Sequence, residues 1–127
     1  MNSKQKGKRG ELEFSRLCRD HGYDVHRTAQ YRGNTGDAAD VEGLPGIHTE
    51  VKRCEQVRLT DWMAQAVHDA KPGLLPIVAH RKNDCQWLIT MRADDWFKLY
   101  ANWDAIEWMR SVERGEEEEL PTGTVMF

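Results

Sequence analysis

The stretch Asp40-Val41-Glu42-Gly43-Leu44-Pro45-Gly46-Ile47-His48-Thr49-Glu50-Val51-Lys52 decides how this chain is read. Leu44-Pro45-Gly46 is a turn signal between two short runs that read as strands, 38–43 and 47–53. Successive side chains of a strand point to opposite faces. His48, Glu50 and Lys52 therefore share one face. Ile47, Thr49 and Val51 take the other, which is the face expected to be buried. Pairing Gly43 with Ile47 across the turn sets Asp40 opposite Glu50. Two carboxylates and an ammonium then lie in one surface patch.

Such a patch suits metal-assisted phosphodiester cleavage. Mg²⁺ or Mn²⁺ takes oxygen ligands, commonly one or two carboxylates completed by waters. A bound cation of this kind acidifies a water and stabilises charge on the reacting phosphate. Lys52 can orient or deprotonate that water, or neutralise a phosphate oxygen. The plain alternative is an exposed cross-strand ion pair worth less than ~1 kcal/mol. A Glu-x-Lys triplet alone carries little information. The Asp on the neighbouring strand tips the reading toward function.

Working outward, Phe14, Leu17 and Cys18 recur at helical spacing and predict a first helix over 7–20, with Gly22 as its stop. Residues 23–28 alternate and read as a strand, and 30–37 as a mobile loop. Trp62, Ala66 and Ala70 mark a second helix over 59–70, ended by Lys71-Pro72-Gly73. Two strands follow, 75–80 and 86–91, joined by a polar turn. A last helix spans 93–111, with Asp94 and Asp95 in the first turn where the macrodipole favours anions. This order predicts an α/β fold, a small mixed β-sheet flanked by helices, in a single domain over 1–127. Trp96, Tyr100 and Trp103 line one side of the last helix and read as core or dimer contact rather than a base-stacking surface.

The chain has 127 residues, of which 31% are charged, and a mean hydropathy of -0.75. No run approaches the ~18 apolar residues of a membrane span, and no apolar stretch follows the charged start as in a signal peptide. Cys18, Cys54 and Cys85 are scattered and odd in number, which argues for a reducing cytoplasm and against a disulfide framework. The net charge is -3, but residues 1–60 hold 11 Lys/Arg against 9 Asp/Glu, while 61–127 hold 7 against 12. Lys4, Lys6, Lys8 and Arg9 form a basic arm suited to phosphate contact, or equally a solvated terminus. Glu116 to Glu119 form an acidic run expected to lie away from any nucleic acid.

Asp40 followed by Glu50-Val51-Lys52 resembles the PD-(D/E)xK nuclease motif, with Ala39 in place of its proline. Lys6-Gly7, Glu11, His21-Gly22-Tyr23 and Val25-His26-Arg27-Thr28-Ala29 extend the resemblance to archaeal-type Holliday junction resolvases, over residues 6–53. The order of elements through Met91 agrees in outline. The acidic, Trp-rich end beyond residue 92 does not match. Small phage and prophage nucleases share the same features.

The resemblance implies a restriction-endonuclease-like fold and a divalent-metal-dependent DNA endonuclease, structure-selective on branched DNA and acting in recombination. It implies Glu11, Asp40 and Glu50 as metal-site acids and Lys52 as the catalytic lysine. Mg²⁺ or Mn²⁺ is then expected on Asp40, Glu50 and the Val51 carbonyl, with Glu11 acting directly or through water. Glu13 competes with Glu11, although Glu11 lies closer to the Phe14/Leu17/Cys18 face. Arg27 corresponds to the strand arginine of the resolvases. Lys6, Lys8, Arg9, Arg27, Arg32 and Arg53 are the expected DNA contacts. His48 has the right strand parity to face the site, and Gln65 and Lys71 are near enough in sequence to do so. Cutting two strands of a four-way junction calls for two sites, and so for a two-fold homodimer. The alternatives are a nicking or restriction-like nuclease of the same fold, and a catalytically silent DNA-binding module.

Overall fold

The computed structural model describes residues 3–29 and 38–116. The chain divides into two compact units, residues 1–91 and 92–127. The first contains α1 (Ser3–Asp20), β1 (His26–Arg27), β2 (Val41–Glu42), β3 (Ile47–Arg53), α2 (Leu59–Asp69), β4 (Leu75–Arg81) and β5 (Leu88–Met91). The second, as described, contains α3 (Ala93–Glu113). The predicted loop over 30–37, with Arg32, and the glutamates at 117–119 lie outside the described residues.

The five strands form one sheet in the order β1-β2-β3-β4-β5. Three of its pairings are antiparallel, and β3 with β4 is parallel. The parallel pair follows from α2, which carries the chain from the end of β3 back to the start of β4. The expected mixed sheet with helices is therefore the observed one. The Val41↔Thr49 pairing is the register that sets Asp40 opposite Glu50. The first two strands are shorter than predicted. Val25 N–H donates to Tyr23 C=O at 2.9 Å in a tight turn, which takes Tyr23–Val25 out of the ladder.

The first helix begins earlier than predicted, at Ser3, and the backbone bonds that close its C-terminus include Gly22 N–H to Arg19 C=O and Tyr23 N–H to Cys18 C=O. Phe14 and Cys18 of this helix pack with Val25, Val41, Val51 and Ala79 on one face of the sheet. On the other face, Trp62 and Ala66 of α2 pack on Val78. The two helices thus cover both faces of the central strand. This overturns the expectation that His48 and Glu50 lie on a surface: they are 3% and 2% exposed.

Gly43, just after β2, fixes the passage of the β2–β3 hairpin past the start of β1. Its φ is +124°, and a Cβ there would collide with the Asp24 carbonyl oxygen and come within 2.8 Å of Val25 Cα. These are backbone atoms with no room to yield. Gly43→Ala is expected to cost ~3 kcal/mol or more in denaturant unfolding, from strain and overpacking together. A loss below ~1 kcal/mol, within the range of an ordinary substitution, would contradict this packing.

In α3, Trp96 stacks on Tyr100 with ring centroids 5.1 Å apart, and Tyr100 on Trp103 at 5.7 Å. All three rings are exposed, so the stripe is not core. No helix among the described residues is long and apolar enough to cross a membrane. The three cysteines are free thiols.

Candidate active site

Asp40 stands immediately before β2 begins, against the middle of β3. Its backbone N–H donates to Thr49 C=O, and its C=O accepts from Thr28 N–H, each at 3.0 Å. Its side chain then continues the ladder that its backbone leaves: Oδ2 accepts the Val51 N–H at 2.8 Å. The N–H and C=O of one strand residue point to the same edge. The Val51 carbonyl therefore faces the Asp40 edge of β3, as its expected ligand role requires.

Glu50 lies beside Asp40 and is buried by α2 above the sheet. Its Oε1 accepts from His48 Nε2 at 2.8 Å, inside the protein. The Asp40 carboxyl holds its proton well above the ordinary carboxylate range. Burial is the largest cause and pushes the Asp40 carboxyl up to about 8. The negative charge and hydrogen bond of Glu50 push the same way, Glu11 adds to them, and the Val51 amide opposes.

The competition between the two glutamates of α1 resolves in favour of Glu11. Its charge bears on Asp40, and its Oε2 accepts from Arg27 Nε at 2.8 Å. Glu13 turns instead to Arg53 and Arg81, each 3.2 Å away. Arg53 is thereby held against α1 with a side chain only 12% exposed. It shares the Val51 face of β3, opposite Lys52, which removes it as a phosphate contact near the site. The helix approaches β3 closely here, since a Cβ on Gly10 would lie 2.8 Å from Arg53 Cβ.

Lys52 lies at the open end of the acidic face. Its Nζ donates to Gln65 Oε1 of α2 at 3.2 Å, in an exposed pair. Lys71 does not reach this group. It lines a cavity of about 590 Å³ with Thr28, Ala39 and His48. Lys8 and Arg9 are exposed on the first turns of α1, and Lys6 pairs with Glu55 at 3.7 Å. The structure thus brings Glu11, Asp40 and Glu50 together, with Arg27 on Glu11, sets Lys52 on the Glu50 face of β3 beside Gln65, and turns Arg53 to Glu13. The His48–Glu50 bond was not foreseen. Its only signal in the sequence was strand parity.

Among the described residues no cluster of three or more His, Cys, Asp or Glu forms a protein cage for a metal. The donors present are two carboxylates and a strand carbonyl. That set fits a hard cation that keeps several waters. The raised Asp40 value agrees with this, because burial and the nearby charge of Glu50 both disfavour a second ionised carboxylate in the absence of a cation.

The fold is shared with Hjc, a Holliday junction resolvase of Archaeoglobus fulgidus. That structure is 22% identical to this chain with a TM-score of 0.53, over 68% of this chain and 72% of that one. A search of curated proteins found no match. A family model described as "Phage putative PDDEXK endonuclease" matches residues 2–120. The matched span contains Glu11, Asp40 and Glu50-Val51-Lys52 in the arrangement described above. The chain belongs to this phage PD-(D/E)xK endonuclease family.

Proposed function

We propose that the protein is a divalent-metal-dependent DNA endonuclease whose centre is Asp40, Glu50 and Lys52, acting on branched DNA as a homodimer. The observation that carries this reading is the buried Glu50 carboxylate next to Asp40, whose own carboxylate accepts the Val51 N–H, with the charge of Glu11 bearing on the same group. A bound cation would offset the repulsion between two carboxylates held this close. Mg²⁺ or Mn²⁺, held by Asp40, Glu50 and the Val51 carbonyl, would supply Lewis acidity and an activated water. Glu11, oriented by Arg27, adds negative charge at the rim of the site. Lys52, steadied by Gln65, faces the incoming phosphate or the attacking water. The free valences of the Arg27 guanidinium can take a phosphate oxygen.

Branched-DNA selectivity is supported by the fold shared with a Holliday junction resolvase. A four-way junction presents two strands to be cut, which a two-fold pair of sites answers. The test is to incubate the protein with labelled four-way junction, flap and linear duplex, each with Mg²⁺ or with EDTA. Preferential cutting of the junction supports the reading. Equal or better cutting of linear duplex favours the nicking or restriction-like alternative. Binding without cutting in Mg²⁺ and in Mn²⁺ favours the silent module.

The basic arm is the proposed phosphate-contacting surface, since the chain as a whole is acidic. Lys4, Lys8 and Arg9 are exposed there. Each phosphate contact contributes about 0.9 to the slope of log K against log salt. Replacing all three by Gln is therefore expected to weaken DNA binding and flatten that slope by about 2 to 3, read from a salt titration. Wild-type affinity and slope would place the DNA elsewhere.

A further inference from the structure

We propose that His48 is a positioning residue that holds Glu50 to one-oxygen coordination and so sets the preference of the site for a small divalent cation. The proposal rests on the Asp40–Glu50 metal-site reading and goes beyond it. His48 and Glu50 stand two residues apart on one face of β3, their side chains 3% and 2% exposed. The Nε2–Oε1 distance is 2.8 Å. An ionised carboxylate only accepts hydrogen bonds, so Nε2 carries the hydrogen and donates. Pro76 and Val78 flank His48 and Glu50 on the parallel strand β4, and both are fully buried.

This bond occupies one oxygen of Glu50, and the Val51 amide occupies one oxygen of Asp40. The second oxygen of each carboxylate would be the one to meet a cation, in place of the proton that Asp40 holds without metal. Single-oxygen ligation suits Mg²⁺ and Mn²⁺, which favour six-fold coordination at short distance. Ca²⁺ takes more oxygens and readily uses both atoms of one carboxylate. Without the His48 donor, Glu50 is free to turn and offer both oxygens. The histidine therefore acts on which cation the site prefers as well as on how tightly it binds. Partners of this kind behind a ligand typically alter metal affinity by about 10- to 100-fold.

The test is calorimetric titration of the full chain with Mn²⁺ and with Ca²⁺, without DNA, on wild type, H48M, H48Q and D40N. Methionine keeps bulk without a donor, and glutamine keeps an N–H at similar reach. H48M is expected to bind Mn²⁺ about 10- to 100-fold more weakly, with Ca²⁺ less affected, so that the Mn²⁺/Ca²⁺ ratio falls about tenfold. H48Q is expected to stay within about threefold of wild type for both ions. A folded H48M with wild-type affinity and ratio overturns the proposal. If circular dichroism shows H48M unfolded, H48Q decides: wild-type behaviour supports the donor role, and a loss of about tenfold or more overturns it. D40N separates the two levels. Undiminished Mn²⁺ binding by D40N would remove the metal site itself, whereas loss in D40N with none in H48M would remove only the role of His48.

Discussion

Asp40→Asn is expected to abolish Mg²⁺-supported cleavage, by on the order of 10³-fold or more in single-turnover rate, while DNA binding persists. The substitution removes one of two carboxylates from the cation site and leaves the basic arm untouched. The same variant has a second expected signature, in the absence of any divalent ion. Asp40 keeps its proton in the folded protein up to about pH 8, and in the unfolded chain only to the ordinary value of 3.8. Between those limits the native state binds more protons than the unfolded state. Stability therefore falls as pH rises through that window, by at most about 1.4 kcal/mol per pH unit. Asparagine has the shape of the protonated acid: its Oδ1 can accept the Val51 N–H and its amide can donate to Glu50. The metal-free variant should be the more stable protein at pH 8, and its melting temperature should depend less on pH between 4 and 8. A variant that cuts DNA at the wild-type rate, or a melting profile parallel to wild type, would contradict the role given to Asp40.

Lys52→Ala is expected to lose on the order of 10²-fold or more in the chemical step. Lys52 shares the Glu50 face of β3 but its ammonium is not a metal donor, so Mn²⁺ affinity should be unchanged or slightly higher once a positive charge is gone. That split separates the lysine from Asp40, whose replacement removes metal binding and rate together. An unchanged single-turnover rate would reduce Lys52 to the exposed partner of Gln65 seen in the structure.

The centre of the fold was legible because one turn signal and one alternation suffice for it. Leu44-Pro45-Gly46 set the hairpin, the hairpin set the register, and the register put Asp40 against Glu50. The preference for Glu11 over Glu13 came from the spacing of the family it resembles, with helical spacing giving only a modest lean the same way. Burial was not legible. Ile47–Arg53 alternates like a strand with one wet face, yet α2 covers that face with Trp62 and Ala66. Alternation reports which residues share a face and says nothing of a helix packed there from later in the chain. The same limit hid the capture of Arg53 by Glu13, a pair 40 residues apart that depends on how α1 lies on β3. The exposed aromatic stripe of α3 was misread as core in part for the converse reason: apolar spacing does not reveal whether anything covers it.

The central claim is that a divalent cation at Asp40 and Glu50 carries the hydrolysis. Its most direct measurement is single-turnover cleavage of a labelled four-way junction by the wild-type protein, with Mg²⁺, with EDTA, and with Mg²⁺ returned in excess after EDTA. Cutting is expected in Mg²⁺, none in EDTA, and recovery when the ion is restored. Cutting that continues at an undiminished rate in EDTA would contradict that claim.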